Sequence, residues 1–460
     1  MRKLLGMVAV ISAVLAAPAA RSETLADALI AAYKNSNLLD QNQAVLRAAD
    51  EDVAIAVAGL RPVVQYTIQS GFASQEYRVG TATPWAESLN TSISLSASLM
   101  LLDFGRTKLG IQIAEESVLA TRQALVNVEQ NVLLDAVAAY VDVRLQSEIV
   151  ALRQSNLRLI TQELRAARDR FDVGDVTRTD VAQAEARLAE ARSGSSAAEG
   201  NLLLARERYK AATGAYPGRL AALPRAPATA KSLEAAQAVA LRSHPSVLQQ
   251  VHQAKIADLA VAMARANMKP TLTGRAAINE NFSGRAEGLD SQTLGLTFNQ
   301  TIYAGGELSA LYRQSLAGQD QSRAGLRQVG VVVTENVGRA WAGLSVSAAS
   351  IESGDRQIRA AQTAFDGVRE EATLGARTTL DVLNAEQDLL DARAARLEAE
   401  ANRYVGVYQL LSSMGLLTAD HLKLGIPTFD PQAYYKAVRN APATSAQGKR
   451  LDKILEKIGN

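Results

Sequence analysis

The sequence predicts a mainly α protein with transmembrane β, organised as a duplicated helix, β-hairpin and long helical hairpin. Three observations predict it. The chain repeats itself over about 200 residues. Four segments alternate apolar and polar residues over about ten positions, the length of a membrane-crossing strand. Two long proline-free tracts carry apolar residues every seventh position, the pattern of supercoiled helices.

The repeat is clearest around two glycines. The stretch 171–181 aligns with 372–382, which sets Gly174 on Gly375 and Asp180 on Asp381 at a shift of 201 (375 − 174; 381 − 180). Gly214 and Gly415 keep that shift, as do Tyr140 and Trp341. Nearer the start of each copy, Leu25 pairs with Leu233 and Pro62 with Pro270 at a shift of 208 (233 − 25; 270 − 62). The expected organisation is a leader at 1–22, a first structural repeat at 23–230, a second at 231–425 and a tail at 426–460.

The first segment reads as a secretory signal: Arg2 and Lys3, an apolar run over 4–17, then small residues at Ala17, Ala19, Ala20 and Ser22. That run is too short to span a bilayer, which takes roughly 20 residues. Cleavage near Ser22 removes Arg2, Lys3 and Arg21 and takes the formal charge from +2 to −1. A chain without basic excess is a poor nucleic-acid partner. There is no cysteine, which excludes disulfides and lipid attachment at a cysteine. An exported chain without a membrane helix is soluble periplasmic, secreted, or an outer-membrane β-barrel. Aromatics make up only 5% of a chain that is 48% hydrophobic, so Ala and Val carry the apolar content, as close helix contacts require.

Pro62 and Pro270 are helix-to-strand elbows, because proline cannot continue the helical hydrogen-bond ladder. Strands are expected at about 62–73 and 89–101, and at about 270–281 and 292–303. In 89–101, Leu89, Ile93, Leu95, Ala97, Leu99 and Leu101 share one face with Thr91 among them, and Asn90, Ser92, Ser94, Ser96 and Ser98 the other. In 292–303, Leu294, Leu296, Phe298 and Ile302 oppose Thr293, Thr297, Asn299 and Thr301. A wall between lipid and water needs such faces. A half-buried sheet of a soluble protein shows the same alternation. Phe104 and Tyr303 at one end, and Phe72, Trp85 and Phe282 near the other, fit two interfacial aromatic belts. Polar loops are expected at 74–88 and 283–290. Four strands cannot close a membrane barrel and open edges are not tolerated in lipid. Other copies of the chain must complete the wall, with two, three or four copies giving 8, 12 or 16 strands.

Long helices are expected at about 106–172 and 307–373, returning at about 177–213 and 378–414. Ala136, Val143, Val150, Leu157, Leu164 and Phe171 recur at sevens, matched by Val337, Leu344, Ile351, Ile358, Phe365 and Ala372. Helices this long reach roughly 100 Å. The returning helices carry small stripes: Ala184, Ala191, Ala198, Ala205 and Ala212, then Ala385, Ala392, Ala399, Gly406 and Ser413. In the tail, Leu451, Ile454, Leu455 and Ile458 suggest one short amphipathic helix.

At this point the chain resembles the TolC family of outer-membrane efflux and secretion channels, over nearly all of 25–424. The duplicated order carries the resemblance, with the proline elbows, Leu102-Asp103-Phe104-Gly105 and Ile302-Tyr303-Ala304-Gly305-Gly306 at the strand-to-helix joins. The two tip sequences, Val173-Gly174…Thr179-Asp180-Val181 and Leu374-Gly375-Ala376-Arg377-Thr378-Thr379-Leu380-Asp381-Val382, complete it. The resemblance implies a homotrimer. Its 12-stranded β-barrel crosses the outer membrane of a Gram-negative bacterium and continues into a long periplasmic α-helical barrel. It implies partners too: a periplasmic membrane-fusion adaptor and an inner-membrane pump, ABC-type or proton-driven, with passive export by type I secretion or multidrug efflux. The missing cysteine fits the unlipidated branch. No cofactor is implied.

The resemblance places the periplasmic gate at the tips, roughly 100 Å from the strands by helix arithmetic. Gly174, Asp175, Gly375 and Ala376 form the docking turns. Asp180 and Thr179 match acceptors of the closing links, Arg377 the basic donor, and Asp381 an inward acidic position with a possible threefold cation ring. A second acidic position falls on Asn384 and an aromatic donor on Ala372, so one carboxylate ring and one link are missing. The expectation is a gate held by Asp180–Arg377 contacts.

Catalytic chemistry is not expected. His244, His252 and His421 are the only histidines, and none has a Cys or His neighbour at metal-ligand spacing. Gly305-Gly306 has no Lys-Ser/Thr behind it and is no phosphate loop. The alternative reading is a periplasmic coiled-coil adaptor bridging pump and channel. Such proteins usually carry one helical hairpin, not two with two amphipathic strand pairs.

Overall fold

The computed structural model describes residues 22–76, 85–283, 286–439 and 453. The expected leader, the tip of the first strand loop, the side chain of Trp85 and the apolar positions of the expected tail helix lie outside them. The element order repeats, with corresponding helices equal in length or within one residue of it. Helices α1 (Leu25–Asn35) and α2 (Asn37–Ala58) correspond to α5 (Leu233–Ser243) and α6 (Pro245–Ala266). Strands β1 (Val63–Glu76) and β2 (Trp85–Leu102) correspond to β3 (Thr271–Ser283) and β4 (Ala286–Asn299). The long α3 (Arg106–Asp172) and α7 (Glu307–Thr373) have 67 residues each. They return as α4 (Arg178–Thr213) and α8 (Thr379–Ser413), and α9 (Pro431–Val438) follows. No described helix is long and apolar enough to cross a membrane.

The chain divides into two compact units, and each long helix contributes to both. One unit draws on 37–131, 230–339 and 411–460. It holds a single antiparallel sheet in the order β1-β2-β3-β4. Because β2 pairs with β3, the hairpins of both copies form one ladder. Among the described residues, β1 and β4 pair on one side only.

The strands differ from expectation at their ends. β4 starts earlier, at Ala286, and stops at Asn299, so Ile302 and Tyr303 lie outside it and are exposed. Its only described partner is β3, whose first pair is Thr271 with Asn299. The residue before is Pro270, which has no N–H to extend the ladder. At the other end both hairpins run on into the expected polar loops, to Glu76 and from Trp85, and to Ser283 and from Ala286.

The elbows are capped by specific side chains. At the start of α3 the Asp103 carboxylate accepts from Gly105 N (2.9 Å) and Thr107 N (2.7 Å). The residue between, Phe104, has a left-handed backbone (φ 53°), and its counterpart in the second copy is Gly305 (φ 59°). Arg106 donates from Nε to Ala266 O (3.0 Å) and from Nη2 to Lys269 O, closing the carbonyl end of α6. Where α5 meets α6, His244 caps α6 by accepting from Ser246 N at 3.1 Å. Gly415 packs there with φ +77°, where an added Cβ would stand 2.6 Å from His244 Cα.

An apolar cluster of Leu46, Val53 and Val118 is closed over by Phe429 and Tyr435. The segment that covers it is α9, an element absent from the sequence reading, which placed the tail helix later. Asp430 caps it (Gln432 N to Oδ1, 2.8 Å). Tyr434 donates to Glu51 (2.8 Å), and Arg439 pairs with Glu115 (2.7 Å). Asp50, buried on α2 between Leu46 and Val53, has its carboxyl pushed up to about 6 by desolvation.

The second unit draws on 1–36, 132–229 and 340–410. Small residues of the return-helix stripes enter its core, among larger buried side chains such as Tyr140, Tyr209 and Leu383. Ala184, Ala198, Ala205, Ala392 and Ala399 are buried. At Gly406 an added Cβ would lie 3.1 Å from the Leu344 side chain, so α7 and α8 touch there almost backbone to side chain. Overpacking such a contact costs about 1–3 kcal/mol. Leu383 of the second copy packs with Ile160, Leu164, Ala167 and Ala184 of the first, which joins the two helical hairpins. Near the chain start, Tyr140 donates to Glu23 O (3.0 Å) and Ala221 O (2.9 Å), and Tyr209 donates to the Glu23 carboxylate.

Candidate functional site

Two regions carry functional geometry, one in each unit. In the sheet, alternation continues across strands as rows. Tyr66, Leu95 and Ile278 form one row, Val64, Ala97, Ala276 and Leu294 the next. Leu99, Gly274 and Leu296 follow, then Leu102, Leu272 and Phe298. The opposite face reads Gln65, Ser96, Ala277 and Thr293, then Thr67, Ser94, Asn279 and Ser291. The apolar rows are bare: Val64, Tyr66, Leu294, Leu296 and Phe298 are each more than 60% exposed. An exposed apolar face of this breadth marks contact with another apolar phase.

In the other unit, α3 and α7 end in left-handed glycines, Gly174 (φ 80°) and Gly375 (φ 76°). Asp175 N bonds back to Arg170 O, and Ala376 N to Glu371 O, both at 2.9 Å, closing the last turn in Schellman fashion. Each return helix then opens with a capping box. Thr177 N and Oγ1 donate to Asp180 Oδ2 (2.9 and 2.7 Å) while Asp180 N donates to Thr177 Oγ1 (3.3 Å). Thr378 and Asp381 repeat the arrangement at 3.0, 2.9 and 3.2 Å. The hydroxyl of Thr177 first, then its N–H, hold the Asp180 carboxyl below its usual range. For Asp381 the N–H of Thr378 leads, then its hydroxyl, with Arg377 adding a smaller pull.

The expected Asp180–Arg377 contact is not made within the chain. Asp180 turns back onto the start of its own helix, and Arg377 donates from Nε to Glu371 Oε2 at 2.8 Å. The signal was present in the sequence: Thr177-Arg178-Thr179-Asp180 and Thr378-Thr379-Leu380-Asp381 both spell the Thr-x-x-acid cap. Thr179 is exposed in the first turn of α4. Asn384, on α8, accepts from Arg187 Nη2 of α4 at 2.7 Å. The residues before the glycines, Val173 and Leu374, are 81% and 79% exposed, so each turn presents one aliphatic side chain. Among the described residues no acidic or histidine cluster can hold a metal within one chain.

Sequence reasoning missed one group. Glu386 of α8 is buried, accepts from Asn156 Nδ2 of α3 at 2.6 Å, and has Oε2 without a partner. It borders a cavity of about 200 Å³ lined also by Leu159, Phe365, Leu389 and Arg393. Desolvation, with a smaller push from Glu163, raises its carboxyl to about 7 against the pull of Asn156 and Arg369. The available signal was a glutamate on the apolar stripe Val382, Glu386, Leu389.

A family model described as "Outer membrane efflux protein" matches residues 29–215 and 237–416. The chain is 38% identical over 434 residues to the outer membrane efflux protein BepC of Brucella suis biovar 1 (strain 1330), covering 93% of each chain. It is 26% identical over 382 residues to the proteases secretion protein PrtF of Dickeya chrysanthemi, covering 78% of this chain and 82% of that one. Its fold is similar to the solved structure of CusC, with a TM-score of 0.74 at 20% identity over 86% of this chain and 92% of that one.

Proposed function

The chain belongs to the outer membrane efflux protein family, and we propose that three copies assemble into one passive conduit. It is an outer-membrane export channel and not an enzyme. The adaptor alternative is set aside by the same membership. In the proposed assembly each copy supplies four strands to a 12-stranded barrel, with the apolar rows toward lipid and the Ser/Thr/Asn/Gln rows toward the lumen. The observation that carries this reading is the sheet itself: exposed apolar rows on one face, and β1 and β4 each pairing on one side among the described residues. In lipid such edges must be paired, because an unsatisfied backbone group there costs several kcal/mol.

The repeats at 23–230 and 231–425, after a cleaved leader and before a tail, are part of the same proposal. The turns at Gly174 and Gly375 form the periplasmic aperture and offer Val173 and Leu374, beside Asp175 and Ala376, to a periplasmic adaptor working with an inner-membrane pump. The names of BepC and PrtF, an efflux and a secretion protein, support an export partnership of this kind. Thr179, Asp180, Arg377, Asp381 and Asn384 line the gate, with Asp381 carrying any cation ring. Because Thr177 and Glu371 already engage Asp180 and Arg377 inside one chain, closure rests on contacts between chains.

Membrane fractionation and heat-dependent migration test the assembly. The expected result is co-sedimentation with outer membranes and an oligomer that collapses to monomer only on boiling. A chain recovered in the soluble periplasmic fraction overturns it.

A further inference from the structure

We infer that the joint between α6, β3 and the start of α3 is a binding site for the phosphate of an anionic glycerophospholipid in the periplasmic leaflet. The inference rests on the channel reading, which sets this end of the sheet at the periplasmic interface.

The site is a cavity of about 440 Å³ whose lining includes Phe104, Arg265 and Lys269. That volume lies within the range of about 300–1,000 Å³ usual for small-ligand sites. Its cations are held by aromatics alone. Lys269 Nζ stands 5.4 Å from the Phe104 ring centroid. The Arg265 guanidinium lies 5.1 Å from the Tyr312 ring and donates from Nε to its hydroxyl at 3.0 Å. Among the described residues no carboxylate is within ion-pair distance of either cation, although acids are close. Asp258, which also lines the cavity, is taken by Arg323 (3.1 Å) and Gln319 (2.8 Å). Asp103 is spent on capping α3. Arg106 is absorbed by the carbonyls of Ala266 and Lys269. Two cations are left with no counter-ion, on an aromatic shelf.

The occupant follows from what adjoins the shelf. The row Leu102, Leu272 and Phe298 is the last of the exposed apolar rows, and Lys269 stands three residues before Leu272. At about 3.3 Å per residue that separation is up to roughly 10 Å. The headgroup layer is roughly 5–8 Å deep on each side of the hydrocarbon. A lipid with its chains on the last row therefore brings its phosphate within reach of the long Lys269 side chain, and Arg265 lines the same cavity beside it. Cations close to an anionic lipid surface strengthen its binding.

The test uses the assembled channel in nanodiscs of phosphatidylethanolamine with and without phosphatidylglycerol, and native mass spectrometry of the retained lipid. Wild-type protein retains phosphatidylglycerol in preference to phosphatidylethanolamine. Arg265→Gln with Lys269→Gln weakens that retention roughly ten- to thirtyfold, about a factor of five per cation. Lys269→Arg restores it in part, and Arg339→Gln, an exposed cation elsewhere on α7, leaves it unchanged. If the double variant does not assemble, Lys269→Gln alone decides. Equal retention of both lipids, undiminished retention by the variant, or displacement by inorganic phosphate at equal concentration each overturns the inference, the last by showing a free-anion site. None of these outcomes touches the channel reading, which fractionation and conductance test separately.

Discussion

Replacing Glu386 by Gln should convert a pH-dependent contact between the helical hairpins into a pH-independent one. The carboxyl is raised from 4.5 to about 7 in the folded chain, first by desolvation. Where this contact opens, the group regains water and titrates near its ordinary value. The closed state therefore keeps its proton to higher pH than the open state. Stability at this contact is full below about pH 4.5, falls as pH rises from there to about 7, and stays low above it. A shift of this size corresponds to roughly 3 kcal/mol at pH 8, and relaxation or water entry into the adjoining cavity reduces it to ~1–3 kcal/mol. Gln keeps the hydrogen-bond acceptor for Asn156 without the charge. Hydrogen exchange read by mass spectrometry over 155–160 and 382–390, corrected for intrinsic rates, measures the opening. At pH 8 the variant should be protected more than wild type, by roughly fivefold to a hundredfold, and the two should converge near pH 4. Equal protection at both pH values, or wild-type protection that rises with pH, refutes the reasoning.

Three other outcomes follow from the same geometry. Leu296→Arg, on an apolar row, should cost about 2–4 kcal/mol in urea unfolding of the detergent-purified or reconstituted channel, and Thr297→Arg on the opposite face well under half of that; equal costs would contradict the assignment of faces. Gly415→Ala should lower the apparent melting temperature far more than Gly375→Ala. Both backbones are left-handed, but only at Gly415 does a Cβ meet backbone at 2.6 Å, whereas Gly375 has nothing within 4 Å. Arg377→Ala should raise passive conductance in planar bilayers while Glu371→Gln does not, since the second change frees the guanidinium rather than removing it. Unchanged conductance in Arg377→Ala would reduce Arg377–Glu371 to an exposed ion pair worth about 0–1 kcal/mol.

The repeat was legible because duplication copies the physics as well as the residues. Asn35 caps the carbonyl of Thr213 at 2.8 Å, and its counterpart Ser243 caps Met414 at 3.1 Å. The strand interiors were legible for the same kind of reason: one face meets an apolar phase and the other water, so every second residue reports. Strand ends were not. At Glu76, Glu87, Glu280 and Asp290 the ladder continues with polar residues on both faces, and periodicity vanishes while hydrogen bonding does not. Similarly, α9 has only eight residues, and it is fixed by Tyr434 and Arg439 reaching acids far away in the chain. At the tips, likeness to a family supplied residue positions but not partners. Local capping by Thr177 claims the Asp180 carboxylate that the expected link was to use.

The chain has no cysteine, so engineered ones act on a silent background. A cysteine at Thr67 on β1, combined in turn with one at Ser291, Thr293, Gly295 or Thr297 on β4, asks whether the free edges of different copies meet. A disulfide needs Cα atoms within about 7 Å. The account predicts that one or two of these pairs oxidise in native membranes to covalent trimers and to nothing larger. Failure of every register to link one copy to another, or a ladder extending beyond three, would contradict it.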